Sequence, residues 1–339
     1  LGARGVYVMN QFLRQADVQV VAICDVDSFH YRDRDPKKGP AYGLEPIKAK
    51  LDQRSGESGN GVFATTDYRE LCARDDVDAV LVATPDHWHA YCTLESIRNG
   101  KDVYCEKPVT HTFAEGQQVY RKVAASKQMF QTGTQQRSDA KFRRAVELVR
   151  NGHLGQITRI EVGLPPGYAE PQGDPTITDP PKTLDYDMWC GPAPLLPYMR
   201  ARHHRWWRGH RAFGGGVLMD WIGHHNDIAH WALDLDQSGP NKVQAVGWVA
   251  PSTDVYNTPK DYEILCEYDG GTVNSISNRH RLGTKFIGEK GWVYVTRGKI
   301  QASNQAWIAD DFSVGSERVY KSDNHVRNFL DCAKSRQAC

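Results

Sequence analysis

The chain has almost no excess charge of either sign and no long apolar run. Its 42 Lys and Arg residues are balanced by 41 Asp and Glu residues, which leaves a formal net charge of +1. Domains that bind nucleic acid by charge carry a marked basic excess, so we expect no nucleic-acid partner. No apolar stretch reaches the ~20 residues of a membrane-spanning helix, so we expect no membrane partner either.

Metal-site and disulfide patterns are also missing. The eight cysteines are scattered and form no Cys-x-x-Cys pair, which indicates buried thiols and not a disulfide framework. Histidines at 87, 89, 203, 204, 224 and 225 offer many imidazoles, but no His-Glu-x-x-His accompanies them. We therefore expect no metal.

The length of the chain predicts two domains, although no Gly/Ser-rich linker separates them. A chain of 339 residues exceeds the usual size of a single core. We place the first domain at residues 1–134 and the second at 135–339. A final helix over 322–336 is expected to pack back on the first domain.

Four apolar strands of the first domain are predicted to end in polar groups. In an open parallel sheet, ligands bind beyond the carboxyl ends of the strands. Glu106-Lys107 follows one of these strands, and Pro108 ends it because proline cannot donate to a ladder. A surface Glu-Lys pair is the alternative. The predicted strands are Val18–Cys24, Ala79–Ala83, Lys101–Cys105 and Met129–Gly133.

The glycine turn at the start of the chain predicts a dinucleotide site. Leu1-Gly2-Ala3-Arg4-Gly5 matches the second and third glycines of G-x-G-x-x-G and opens a helix predicted over Val6–Arg14. Asp25 follows about 20 residues later, where the fingerprint has a carboxylate for the ribose hydroxyls. This carboxylate favours NAD over NADP, and Arg32 and Arg34 behind it would weaken that preference.

These motifs, together with Thr84-Pro85-x-x-x-His89 and the glycine-led segment Gly215–His224, resemble the glucose–fructose oxidoreductase/inositol dehydrogenase (Gfo/Idh/MocA) family of NAD(P)-dependent oxidoreductases. The resemblance implies an α/β fold with an N-terminal Rossmann domain and a C-terminal α/β domain. The second domain would have an open, mainly antiparallel sheet that forms a homodimer or homotetramer. The first Rossmann strand would precede Leu1, so we expect a fragment cut at both ends. We expect a cytoplasmic protein, or a periplasmic one if a twin-arginine leader precedes it.

The resemblance also implies that Lys107, Asp220 and His224 form the catalytic group. Oxidising a secondary alcohol needs a hydride acceptor, a base for the hydroxyl proton and a cation near the oxygen. His224 suits the base, and Lys107 suits the cation. Asp220 and His224 are four residues apart on a helix predicted over Val217–Leu233, so they share one face. A satisfied core Asp–His pair is the structural alternative.

The cofactor is expected to be NAD, with NADP less favoured. Its predicted contacts are Gly2, Ala3, Arg4, Gly5, Asp25, Thr84, Pro85, His87, His89, Glu106, Lys107, Gln136 and Arg137.

A long irregular segment over Leu164–Arg211 is rich in Pro, Tyr, Trp, His and Arg. Aromatic faces stack on sugar rings, so we interpret it as a substrate wall, with structural anchoring by tryptophan as the alternative. The predicted substrate contacts are Lys107, Trp189, His204, Arg205, Trp206, Trp207, Asp220, His224 and His225.

The second domain has a helix predicted over Asp139–Asn151 and alternating segments typical of strands. The predicted strands are Ile157–Gly163, Val243–Val249, Tyr262–Tyr268, Thr272–Ser277 and Trp292–Thr296.

The function predicted is hydride transfer between NAD and a secondary hydroxyl of a sugar, glycoside or cyclitol. Relatives of the family include glycosidases that oxidise a sugar transiently, so an NAD-dependent glycoside hydrolase is the alternative. A non-catalytic regulator that senses the dinucleotide is a third possibility. The presence of Lys107, Asp220 and His224 together favours an enzyme over a regulator.

Overall fold

A computed structural model of the chain describes residues 1–31, 39–55 and 61–338. Arg32 and Arg34 lie outside the described residues. The chain divides into two compact units. The first comprises Leu1–Gly133, Pro171–Gly215 and Val326–Cys339, and the second comprises Thr134–Glu170 and Gly216–His325. Within the described ranges, no helix is both long enough and apolar enough to cross a membrane.

The elements of residues 1–133 alternate between strands and helices. They are α1 (Ala3–Phe12), β1 (Ala22–Cys24), β2 (His30–Tyr31), β3 (Ala41–Tyr42), α2 (Leu44–Ser55), β4 (Phe63–Thr65), α3 (Tyr68–Cys72), β5 (Ala79–Val82), α4 (Asp86–Arg98), β6 (Asp102–Cys105), α5 (Phe113–Ala124) and β7 (Phe130–Thr132).

The remainder of the described chain is richer in strands. Its helices and strands are α6 (Ala140–Arg150), β8 (Ile157–Gly163), α7 (Tyr186–Cys190), α8 (Gly216–Ala232), β9 (Lys242–Val249), β10 (Asp261–Glu267), β11 (Val273–Ser277), β12 (Gly283–Gly288), β13 (Gly291–Thr296), β14 (Lys299–Ala302) and α9 (His325–Ser335). Short 3₁₀ helices cover Gln135–Ser138, Arg200–Arg202, His204–Gly209, Asp269–Gly271 and Gln305–Ile308.

Parallel pairing dominates the first unit. Strands β5, β6 and β7 form one parallel ladder, and β1 pairs with β4 in another. Every residue of β6 is buried, which is typical of a parallel strand covered on both faces. β1 is shorter than the predicted Val18–Cys24, because the ladder with β4 extends over only three residue pairs.

Two segments distant in sequence complete the first unit. Helix α9 packs Val326 and Phe329 against Val8, Phe12 and Tyr104. Residues 171–215, which we call the strap, also belong to this unit. We predicted that these residues belong to the second domain. They belong to the first unit because the strap buries its own apolar cluster there, as described below.

The second unit is a single open sheet with helices packed on it. Its seven strands have the order β14-β13-β12-β8-β11-β10-β9, and all neighbours are antiparallel except β8 and β11. Helices α6 and α8 share one apolar cluster with the sheet, in which Phe142, Ile228, Ile160 and Phe286 are fully buried. The α/β class and the open, mainly antiparallel sheet are therefore as predicted.

Most predicted elements of the second unit are present with ends displaced by one or two residues, and β8 has the predicted bounds. Strands β12 and β14 were not predicted. β12 begins and ends in glycine, and β14 has only four residues, so neither presents a sustained alternation.

Candidate functional site

The glycine turn and Asp25 are adjacent in the first unit. Gly2 is extended (φ −74°, ψ −179°), and α1 begins at Ala3 without a side-chain cap. A Cβ on Gly2 would meet no described atom within 4 Å, which leaves room beside the first turn of the helix. The backbone nitrogen of Leu1 lies 2.6 Å from Asp25 Oδ2. Helix N-terminal amides and a nearby carboxylate are the pair that a dinucleotide requires.

An ion pair joins this turn to the end of β6. Arg4 is exposed, and its guanidinium donates to Glu106 Oε1 at 2.9 Å. Glu106 is only 3% exposed, and its backbone N–H donates to the carbonyl of Val82 at the end of β5. The half-buried Lys107 follows, and the Lys107–Pro108 peptide is cis. The predicted cofactor residues Arg4 and Glu106 thus contact each other.

His89 fixes the turns that follow β5 and β6. One ring nitrogen lies 2.8 Å from the carbonyl oxygen of Thr84, and the other lies within hydrogen-bonding distance of the carbonyl oxygen of Pro108. Burial lowers the pKa of His89, so the neutral ring donates to one of the two. The ring therefore lies between the Thr84 turn and the Lys107 turn, with a hydrogen bond to one of them and a contact with the other. The contact of His89 with the cofactor stays a prediction.

His87 has a corresponding role toward the strap. Its ring nitrogens lie 3.1 Å from the carbonyl oxygen of Phe213 and 2.9 Å from that of Trp189. Burial lowers the pKa of His87 to about 4. The neutral ring donates to one of these two carbonyl oxygens, so His87 anchors the strap from a buried position, and its contact with the cofactor stays a prediction. Trp88 adds a hydrogen bond from its indole N–H to the same Trp189 carbonyl, at 2.9 Å.

The tryptophans of the predicted substrate wall are mostly core residues. Trp189 and Trp207 are 4% and 6% exposed and pack with Leu184, Tyr198 and Phe213 in one apolar cluster. They anchor the strap, as in the structural alternative, and their contact with the substrate stays a prediction. The large aromatic surfaces of these two tryptophans need an apolar environment, which other residues of the strap supply.

The other wall residues have partners in the first unit. Trp206 is 5% exposed, and the Arg205 guanidinium lies over its ring at 4.4 Å from the centroid. His204 donates from Nε2 to Asp27 Oδ2 at 2.9 Å. The predicted substrate contact of His204 is thus directed at a protein carboxylate.

In the second unit, Asp220 and His224 lie one turn apart on α8. The helix begins at Gly216, whose φ is +78° and whose added Cβ would lie 2.7 Å from Thr258 Cβ, so glycine is required there. The amide of Gln136 donates to the backbone carbonyl of His224 at 3.0 Å. Gln136, predicted to contact the cofactor, is 5% exposed and holds this helix turn.

Arg297 supports the same turn, although the sequence alone does not indicate this role. Its Nε donates to Gln136 Oε1 at 3.3 Å, and its guanidinium lies over the Trp221 ring at 5.0 Å from the centroid. Trp221 in turn contacts the rings of His224 and His225, with centroids 5.8 and 5.7 Å away. No motif marks Arg297, because its partners are distant in sequence.

His225 is built into the core of the second unit. It is fully buried, and Nδ1 donates to the carbonyl oxygen of Gly163 at 2.9 Å. Its own carbonyl accepts from Thr284 Oγ1 at 2.8 Å. Burial lowers its pKa to about 4. His225 therefore joins α8 to β8 and β12. Its contact with the substrate stays a prediction.

Arg137 also has a structural position. Its guanidinium donates to both carboxylate oxygens of Asp227 and to both of Asp236, at 2.7 to 3.0 Å. Four hydrogen bonds use most of its five donors. The guanidinium thus forms a double ion pair within the second unit, and the contact of Arg137 with the cofactor stays a prediction.

The predicted residues thus form two groups. In the first unit the glycine turn, Asp25, Thr84, Glu106 and Lys107 are linked by the contacts above. In the second unit Asp220 and His224 share α8. The assignment of Lys107, Asp220 and His224 to one catalytic group stays a prediction.

Comparison with known proteins identifies the family. Residues 44–134 match the Gfo/Idh/MocA family, described as "Oxidoreductase family, NAD-binding Rossmann fold". Residues 140–339 match its second domain, described as "Oxidoreductase family, C-terminal alpha/beta domain". The chain belongs to the Gfo/Idh/MocA oxidoreductase family. Its first unit is accordingly an NAD-binding Rossmann domain, and both the family and the fold class predicted from the sequence are confirmed.

Three curated relatives illustrate the range of the family. The uncharacterized oxidoreductase YrbE of Bacillus subtilis is 31% identical over 263 residues, which cover 77% of this chain and 65% of YrbE. The scyllo-inositol 2-dehydrogenase (NAD(+)) of the same species is 21% identical over 306 residues, which cover 86% of this chain and 77% of the dehydrogenase. The α-N-acetylgalactosaminidase of Shewanella oneidensis is 32% identical over 120 residues, which cover 35% of this chain and 23% of the galactosaminidase. The chain thus spans less than two thirds of two of these relatives.

Among solved structures, the WlbA dehydrogenase of Bordetella pertussis in complex with NADH and UDP-GlcNAcA is similar in fold. The TM-score is 0.64 at 17% identity, over 99% of this chain and 86% of that one.

Proposed function

We propose that this oxidoreductase transfers a hydride between NAD and a secondary hydroxyl of a sugar, glycoside or cyclitol. The observation that carries the proposal is the assembly in the Rossmann unit. His89 lies between the Thr84 turn and the Glu106-Lys107-Pro108 turn, and Arg4 joins the second of them to the glycine turn. Lys107 directly follows the end of β6, and open parallel sheets bind their ligands beyond such strand ends, which supports a role for its ammonium in the reaction.

The residues present fit NAD. The first turn of α1 would hold the pyrophosphate, because its amides have no side-chain cap and the space beside Gly2 is open among the described residues. Asp25 would accept hydrogen bonds from the adenosine ribose, and its charge would repel a 2′-phosphate. We therefore propose NAD over NADP. When bound, the nicotinamide supplies the hydride acceptor.

The catalytic roles follow from residue chemistry. The ammonium of Lys107 would donate to the reacting oxygen and stabilise its negative charge as the hydroxyl proton leaves. The imidazole of His224 would take that proton, since its usual pKa lies near neutrality. Asp220, one turn earlier on α8, would orient the imidazole or bind a second hydroxyl. Gln136 and Arg297 keep the helix turn of His224 in position.

An NAD-dependent glycosidase is the second candidate, because the chain matches part of a curated α-N-acetylgalactosaminidase. In that mechanism the sugar would be oxidised, the aglycone eliminated and the sugar reduced again. The hydride returns to the product, so NADH does not accumulate.

We also propose that the chain assembles as a homodimer or homotetramer through its open sheet. Edge strand β9 exposes Val243, Val246, Trp248 and Val249 at 63%, 47%, 52% and 43%. An edge strand with such apolar side chains is a pairing surface. Light scattering on the protein and on Trp248→Lys tests this, and an unchanged oligomer in the variant would contradict it.

A substrate panel tests the activity. The protein with NAD is incubated with sugars, cyclitols and chromogenic glycosides, and both NADH and free aglycone are measured. Steady NADH formation supports the dehydrogenase, whereas aglycone release without NADH supports the glycosidase. Lys107→Ala should lower either activity by about 10²-fold or more, and Lys101→Ala is the matched control. Nearly intact turnover in Lys107→Ala would contradict the proposal.

A further inference from the structure

A cluster of histidines lies where the strap meets the loop that follows β1. It contains Asp27, His30, His203 and His204, all in the Rossmann unit. The His30 and His204 rings stack with centroids 3.5 Å apart, and those of His203 and His204 are 3.7 Å apart. None of these groups has a role in the proposed oxidation.

His203 has no hydrogen-bond partner although it is buried. Its exposure is 1%, and neither ring nitrogen has a partner among the described residues. A buried polar group without a partner costs about 1–3 kcal/mol, so proteins rarely retain one without a function. The ring packs on Trp189 and Tyr198, where a phenylalanine would fit as well. A ligand bound to the nitrogens of His203 would remove this cost.

Three side chains can supply such a ligand's coordination. One donor atom from each of Asp27, His203 and His204 lies within 4.8 Å of the other two. His204 Nε2 and Asp27 Oδ2 are already 2.9 Å apart, close to the ~3.3 Å between two ligands of one tetrahedral zinc ion. Within the described ranges, no other three residues of ligating type meet this criterion.

We propose that Asp27, His203 and His204 bind a divalent transition-metal ion, with zinc as the ion that best fits them. Two neutral imidazoles and one carboxylate are a common zinc ligand set, and the fourth position is left to water. The ion would take the place of the proton that His204 now shares with Asp27. This proposal is independent of the proposed oxidation.

The electrostatics of the cluster are consistent with an ion. Burial raises the pKa of Asp27 and lowers the pKa of His203 and His204. Burial therefore favours the neutral form of each of the three side chains. A divalent cation would stabilise the buried carboxylate in its ionised form. Arg200 lies beside the cluster, and its guanidinium donates to the carbonyl oxygens of His203 and Tyr31.

The backbone holds the two sides of the site in place. The N–H of Ser28 donates to the carbonyl of Thr183, and the N–H of Asp185 donates to the carbonyl of Val26. His204 has a φ of +46°, which is uncommon outside glycine and directs its ring back toward Asp27. Zinc would thus clamp the strap to the loop that begins at the ribose-binding Asp25.

Zinc binding by the untagged full chain tests the proposal. After chelator treatment, zinc is added back, and its stoichiometry and affinity are measured by elemental analysis and by competition with a chromogenic chelator. We expect one zinc per chain. His203→Phe, which keeps the ring packing, and Asp27→Asn should each weaken binding by at least about tenfold, because even outer-shell partners of metal ligands contribute about 10–100-fold to affinity.

The matched control is His210→Asn, another histidine of the strap, which should bind zinc like the wild type. Cobalt should give a visible d–d spectrum in the wild type that His203→Phe lacks. Zinc should also raise the melting temperature of the wild type and not that of His203→Phe. If His203→Phe does not fold, Asp27→Asn and the wild-type cobalt spectrum decide. The proposal is overturned if the wild type binds no zinc at micromolar free ion, or if His210→Asn loses binding as much as His203→Phe does.

Discussion

The burial of His225 makes the stability of the chain depend on pH in a calculable way. In the folded state its pKa is lowered from 6.5 to about 4 by burial. The unfolded chain therefore binds a proton at a pH where the folded chain does not. The contribution of neutral His225 is complete above pH 6.5 and is lost as the pH falls toward 4. The loss amounts to about 3 kcal/mol when complete, and to about 2 kcal/mol at pH 5.

His225→Asn isolates this contribution. An asparagine amide can replace the Nδ1–H donor to Gly163 O but cannot titrate in this range. The variant should be less stable than the wild type at pH 7.5, because a ring is removed from a fully buried position. Its free energy of unfolding should fall less steeply between pH 6.5 and pH 4.5, so that the difference from the wild type shrinks or reverses.

Urea unfolding at several pH values, followed by circular dichroism, measures both slopes. Every other titrating group is the same in the two proteins, so the difference in slope belongs to position 225. Parallel pH dependences for wild type and variant would refute the reasoning. They would mean that His225 is protonated in the folded state or reaches solvent.

Other perturbations follow from the same structure. NAD should bind more tightly than NADP, and Asp25→Ala should reduce the ratio of the two dissociation constants; a wild-type preference for NADP would contradict this. Lys107→Ala should lower kcat by about 10²-fold or more, with a much smaller change in NAD affinity, as steady-state kinetics and calorimetry can show. His224→Ala should lower kcat and remove the acidic limb of the pH–rate profile; retention of that limb would mean that another group is the base. Arg137→Gln leaves the carboxylates of Asp227 and Asp236 without their partner. In urea unfolding, it should lower the free energy of unfolding by about 1–3 kcal/mol without changing NAD affinity.

The parts of the site that could be predicted are those encoded by local spacing. The glycine turn, the carboxylate at the end of β1 and the Glu-Lys-Pro turn each occupy a few consecutive residues next to a strand. The four-residue spacing of Asp220 and His224 likewise sets their common helix face before any tertiary contact is known.

The parts that could not be predicted depend on partners far apart in sequence. His87 contacts Trp189 across 102 residues, Arg297 reaches Gln136 across 161, and His204 reaches Asp27 across 177. Side-chain type alone does not distinguish a histidine that binds a cofactor from one that anchors a loop. For this reason the structural hydrogen bonds of His87 and His204, and the place of the strap in the first unit, could not be predicted.

The interleaving of the two units has a consequence for synthesis on the ribosome. The chain passes from one unit to the other at residues 133, 170, 215 and 325, so the Rossmann unit is assembled from three separate stretches. Its aromatic cluster of Phe12, Tyr104 and Phe329 closes only after residue 329 has been translated. Until then the N-terminal stretch exposes this apolar surface, which is the condition under which nascent chains recruit chaperones or aggregate. Truncation before α9 should consequently reduce soluble yield more than its eleven residues would indicate.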